Sequence, residues 1–296
     1  MMNANRLRTP RIFERSLRRH LSSIVTPVLV LVLLFAGVRG QETDQTPEQL
    51  RKELLARLSS GNEEQRIDAI TRIGALWQNI SDSDELAVIT ALGESLQHDP
   101  SPVVRALAAR AIEIAAENRD RIRSGDAAVA ALTTALGKER ETATRKAIVY
   151  ALARYPQPQV TTSLIPLLKD KKREVRAAAA YALAENGDPA STQALTELLR
   201  RNGKDDDAFA RSQAARGLGR IGGHDAIDPL VEALTRDKSQ EVRREAALSL
   251  GRIATRQDAK AIEALRDATL SNDPYLVSAA ESAIANINER DSNPKK

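Results

Sequence analysis

The side chains that could do chemistry in this sequence are arginines, carboxylates and a few tyrosines, set at constant spacing. Arg105, Arg145, Arg176, Arg211 and Arg243 each stand six residues after an acid: Asp99, Glu139, Asp170, Asp205 and Asp237. Arg66 holds the equivalent place, with Ser60 before it. A row of cations could hold an anion. A carboxylate at a fixed offset points instead to internal pairing, because charges drawn out of water need partners. Asp99, Arg105, Arg145, Asp170, Arg176, Arg211, Asp237 and Arg243 are therefore expected to form a structural ladder.

Five residues after each of these arginines and after Arg66 lies a second row: Thr71, Arg110, Tyr150, Tyr181, Arg216 and Leu248. Helical geometry turns this position away from the small and apolar residues that follow each arginine. Arg154 and Arg220 fall close to the same face. Arg110, Tyr150, Arg154, Tyr181, Arg216 and Arg220 thus read as one stripe crossing several helices. Tyr and Arg are the residues most enriched where proteins grip partners. The stripe is expected to bind another protein or a peptide, with the arginines favouring an acidic one.

Other chemistries lack their residues. The chain has no cysteine, which excludes disulfides, thiolate catalysis and Cys-ligated metal. Its three histidines, His20, His98 and His224, begin no metal-ligand spacing. No phosphate-cradling glycine loop or nucleophile motif occurs, so neither a cofactor nor a catalytic residue is expected. Asp205, Asp206 and Asp207 read as a solvated loop. The formal charge of +4 is unevenly placed. Seven arginines against one glutamate occupy residues 1–40, so residues 41–296 carry −2. A basic isoelectric point that belongs to the leader gives no reason to expect nucleic acid.

The elements that must position these residues are helices. Apolar residues recur at helical spacing in paired segments over about 46–75, 83–115, 125–155, 158–186, 189–221, 224–253 and 257–288. Thr46-Pro47, Ser101-Pro102, Asp188-Pro189 and Asp273-Pro274 supply a capping residue followed by a proline suited to the first turn. Trp77, Tyr155 and Phe209 are expected to pack between helices. Ahead of the pairs, an Arg-rich segment leads into an uncharged run ending in Val28-Leu29-Val30-Leu31-Val32-Leu33-Leu34-Phe35 and a small-residue exit. This is the pattern of a secretory signal at 1–40, cleaved before Gln41, or of an uncleaved anchor over residues 21–38. Either places the remainder outside the cytoplasm, in the periplasm or secreted. Residues 41–290 then form the helical domain and 291–296 a disordered polar tail.

The recurrent acid, Val-Arg, paired alanines and Leu-Gly, as in Asp237…Val242-Arg243…Ala246-Ala247…Leu250-Gly251, resemble HEAT repeats, specifically the short bacterial kind related to phycobilisome lyases. The resemblance runs over roughly 46–288. It implies an all-α fold, a right-handed α-solenoid of about seven antiparallel helix pairs with the second helices lining a concave face. The function it suggests is a non-catalytic scaffold that binds a partner on that face. An exported enzyme accessory or lyase-like ligand carrier is the alternative, and a nucleic-acid-binding solenoid stands behind both.

Overall fold

Side-chain caps set some of the helix starts, and glycine or a tight turn sets some of the ends. Asn62 accepts a hydrogen bond from the Gln65 backbone N–H at 2.9 Å, and the Gln65 side chain accepts one from the Asn62 N–H, also at 2.9 Å. This reciprocal box fixes the first turn of its helix. Asp188 and Asp207 accept from Ala190 N and Ala210 N in the same sense. Gly187 ends its helix in the left-handed conformation at φ 62°, which costs a residue without Cβ nothing.

The computed structural model describes residues 46–81, 83–117, 124–201 and 207–292. The leader at 1–40, the anchor reading of residues 21–38, and Asp205 and Asp206 lie outside the described residues. From Pro47 onward the chain forms one unit. Among the described residues it is all α, a solenoid of seven antiparallel helix pairs. These are α1 (Pro47–Ser60) with α2 (Glu63–Ala75), α3 (Glu85–His98) with α4 (Pro102–Glu117), and α5 (Gly125–Lys138) with α6 (Thr142–Leu152). Then come α7 (Pro158–Leu164) with α8 (Arg173–Asn186), α9 (Thr192–Leu199) with α10 (Ala208–Ile221), α11 (Ile227–Arg236) with α12 (Gln240–Ile253), and α13 (Ala259–Ala268) with α14 (Pro274–Ser292). The last helix runs to Ser292, two residues into the stretch read as a tail. None of the described helices is long and apolar enough to cross a membrane.

One continuous core of Leu, Ile, Val and Ala threads the stack. Successive second helices lie against one another far more than successive first helices do, so the second helices form the inner layer. Small residues set how closely they approach. A Cβ on Gly219 would lie 2.4 Å from Ser249 Cβ, and one on Gly251 would lie 2.6 Å from Ala283 Cα. Trp77, 1 % exposed, and Tyr155, whose hydroxyl donates to Ile112 O at 3.0 Å, pack inside as expected. Phe209 does not: at the start of α10 it is 37 % exposed, on the outward side of a first turn whose Ala210, Arg211 and Ser212 are buried.

The arginines join each pair to the next. Arg66 reaches Asp99 at 2.6 Å, Arg105 reaches Glu139 at 2.7 Å, Arg145 reaches Asp170 at 2.6 Å and Arg211 reaches Asp237 at 2.8 Å. The carboxylate is thus supplied by the following repeat. What lies in the arginine's own turn is a carbonyl: Arg105 donates to Asp99 O and Arg176 to Asp170 O, both at 2.9 Å. Each acid has a second task. Asp99 accepts from Ser101 N, Asp170 from Lys172 N and Asp237 from Ser239 N, which fixes the entry to the next helix.

Arg176 lies 3.8 Å from the buried Asp207, while the expected acid, Asp205, is outside the described residues. One position departs from the expected register. Arg243 is not the ladder residue of its repeat. Its Nε has no hydrogen-bond partner, while Arg244 holds Asp273 at 2.9 Å and stacks over the Tyr275 ring at 4.8 Å. At this end Arg290 donates to the carbonyls of Arg252 and Ala254, and Arg256 to Asn288 O, closing the stack.

Two predictions test this packing. Alanine favours a helix over glycine by about 1 kcal/mol, yet Gly251→Ala should destabilise by about 1–2 kcal/mol in denaturant, because α14 must move away. An unchanged or raised midpoint would mean the contact is slack. Burial raises the Asp170 and Glu139 carboxyl pKa values, but hydrogen bonds from Arg145 and Arg105, with backbone N–H groups, bring both below the ordinary range. Their contribution is therefore present above the unfolded pKa values, about 3.9 and 4.3, and is lost as pH falls through the lower folded ones. Melting temperature should drop steeply below about pH 4; a flat acid limb would contradict it.

Candidate functional site

The stripe residues come together on the inner layer, one helix contributing after another. α4 carries Arg110, α6 carries Tyr150 with Arg154 just past its end, α8 carries Tyr181, and α10 carries Arg216 and Arg220. At the centre the rings of Tyr150 and Tyr181 meet edge to face, with centroids 5.6 Å apart at 67°. Both are half-buried against the core. Burial pushes both phenols above their ordinary pKa, helped by each tyrosine's nearest neighbours, Tyr181 for Tyr150 and Glu185 for Tyr181. They are neutral hydroxyls on a fixed aromatic platform.

The arginines around them are not free cations. Arg110 pairs with Glu113 at 2.6 Å, and Arg154 pairs with Glu117 at 2.8 Å and lies 3.6 Å from Glu113. Arg216 and Arg220 both hold Glu185, at 2.8 and 3.2 Å. The expected cationic groove is instead a sequence of ion pairs flanking two tyrosines. Its pull on an acidic partner is correspondingly small.

Sequence reasoning missed Glu113, Glu117 and Glu245 on this face. Glu113 stands three residues after Arg110, a spacing that brings helix side chains together and could have revealed it. Glu245 faces the same layer from α12. Its Oε1 is 3.5 Å from Arg252 Nη1 but has no hydrogen-bond partner. Burial raises its pKa, with Arg252 and Arg216 opposing. Among the described residues no group of His, Cys, Asp or Glu could hold a metal ion. A shallow polar groove of about 550 Å³ lies on the outer layer between α9 and α11, lined by Gln193, Glu197, Arg200 and Asp225.

Comparison with known proteins places this geometry. Residues 89–184, 129–208 and 203–285 match the signature of HEAT repeats. No curated protein matches the chain in sequence. Among solved structures, an engineered protein superposes with a TM-score of 0.55 at 24 % identity, covering 80 % of this chain and 68 % of its own. YibA of Escherichia coli superposes with a TM-score of 0.52 at 21 % identity, covering 87 % and 94 %. At these identities the likeness is one of fold.

Glu245 yields a prediction here. Its charged form is disfavoured in the native state, so Glu245→Gln should raise the denaturation midpoint at pH 7 by roughly 1 kcal/mol. The gain should shrink as pH falls, because native Glu245 takes up a proton before the unfolded chain does. A destabilised Gln variant would show that the Arg252 pair outweighs burial.

Proposed function

Because the chain belongs to the HEAT-repeat family, we propose that it is a non-catalytic interaction scaffold that grips a partner protein or peptide on its inner face. A HEAT solenoid suits this role because stacking repeats over a continuous core leaves an extended surface for a partner. The observation that carries the reading is the Tyr150–Tyr181 pair. Two aromatic rings are packed against the core and against each other, and salt-bridged arginines frame them. Such a platform offers large contact area at little entropic cost on binding. The flanking pairs favour a segment of mixed polarity, with donors and acceptors of its own, over a strongly acidic one.

We place this scaffold outside the cytoplasm. The support is the basic segment followed by the apolar run at 21–38, which reads as an export signal or anchor. The family match speaks to HEAT repeats in general and supports no narrower lyase-like role. A nucleic-acid partner finds no support in the charge of residues 41–296.

The test is site-specific photo-crosslinking in the native cell envelope. A benzophenone side chain placed at Tyr181 should capture a discrete partner, and one at Gln193 on the outer layer should not. Tyr150→Ala/Tyr181→Ala should weaken capture from a neighbouring inner-face position by about tenfold or more while the chain stays folded. Equal crosslinking from both faces, or undiminished capture by the folded variant, would overturn the reading.

A further inference from the structure

The charges of the inner face are balanced, whereas those on one edge of the stack are not. This edge is formed by the turns that join the first helix of each pair to the second. In the third and fourth pairs it presents Lys138, Arg140, Lys169, Lys171, Lys172 and Arg173, all exposed. Lys169 and Arg173 have distant carboxylates, Glu197 at 3.7 Å and Asp207 at 3.6 Å. Among the described residues Lys138, Arg140, Lys171 and Lys172 have none within ion-pair distance. Of the acids that stand beside them in sequence, Glu139 and Asp170 are turned inward, whereas Glu141 and Glu174 are exposed. Glu139 is held by Arg105 and by the backbone N–H groups of Arg140 and Glu141, and Asp170 by Arg145 and Lys172 N. The ladder thus withdraws one carboxylate from each turn, and the exposed cations outnumber the exposed acids.

The placement also works against helix stability. Lys172 is the N-cap of α8, with Arg173 and Glu174 its first residues, and Arg140 precedes Glu141, the N-cap of α6. The cations there face the positive end of a helix dipole, an unfavourable arrangement that Glu141 and Glu174 offset in part and a further anion would relieve. On neither helix does the N-cap side chain make a capping hydrogen bond. The same edge of the first pair instead exposes Glu63 and Glu64. Among the described residues the stretch spans the adjacent turns of the third and fourth pairs, about 10 Å between neighbouring repeats. A flat anionic membrane would meet the acidic turn of the first pair as well; a narrow strand of acid would not.

We propose that the turn edge of the third and fourth repeats is a second docking surface, for an acidic protein segment rich in Asp and Glu. It is separate from the inner face and independent of it. The carboxylates of the segment would pair with Arg140, Lys171 and Lys172 and lie against the open starts of α6 and α8.

The full chain is titrated at low ionic strength with a labelled peptide of alternating Glu and Gly. The parent should bind it. Arg140→Glu/Lys171→Glu/Lys172→Glu should lose about tenfold or more in affinity and yet melt at a higher temperature, since acids now stand at the helix starts. A charge-matched control, Lys52→Glu/Lys260→Glu/Arg266→Glu, should stay within about threefold of the parent. Tyr150→Ala/Tyr181→Ala should bind as the parent does, which separates this surface from the inner one. The proposal fails if the parent does not bind the peptide, if the edge variant binds undiminished, or if the control loses as much. It also fails if the parent prefers phosphatidylglycerol vesicles to the peptide.

Discussion

The structure depends on a guanidinium that reaches out of its own repeat. A helix pair of about thirty residues cannot bury its apolar face alone, so each pair is completed only by its neighbours. The arginine near the start of each second helix fixes how that neighbour sits. One side of its fork meets a carbonyl of its own turn and the other a carboxylate of the next, as Arg105 does with Asp99 O and Glu139. That carboxylate in turn orients the backbone entering its own second helix. Two side chains per repeat therefore specify both the start of a helix and the position of the following pair. Small residues such as Gly219 and Gly251 then allow the second helices to close up.

This arrangement decides what the surfaces can do. Because Glu139 and Asp170 point into the ladder, exposed cations outnumber exposed acids on the edge of the third and fourth pairs, although residues 41–296 carry net negative charge. Because the second helices lie close together, side chains five positions after the ladder arginine line up across helices. There the sequence places Arg110, Tyr150, Tyr181 and Arg216, and glutamates from the same layer neutralise the arginines. What remains distinctive on the inner face is the tyrosine pair, held by the core beneath it. A scaffold of this kind works by rigidity and display rather than by a closed, water-free cavity.

The repeat, its helix pairs and the interior of each helix were legible in the sequence. Constant spacing of Arg, Ala and Leu reports directly on which face a residue takes, and Pro189 and Pro274 mark helix starts. The partners of the ladder were less legible. The acid six residues before Arg105 is Asp99, yet Arg105 pairs with Glu139, because a carbonyl rather than a carboxylate of its own turn faces it. In the last pair the register shifts, and Arg244 rather than Arg243 meets Asp273. Spacing along one helix cannot reveal an offset set by stacking. The pairing of the stripe arginines was hidden for the same reason, except for Arg110 and Glu113, which share a helix. Phe209 was misjudged because aromatic character says nothing of which side of a first turn faces solvent.

A double-mutant cycle on Arg211 and Asp237 tests the ladder most directly, since both side chains are almost wholly buried, at 4 % and 1 % exposure. The single variants Arg211→Met and Asp237→Ala and their combination are unfolded in denaturant beside the parent. The two residues lie in successive repeats, so a coupling of about 1.5 kcal/mol or more would show that the pair binds one repeat to the next. Additive losses, with coupling near zero, would contradict this and leave apolar stacking alone to hold the repeats in register.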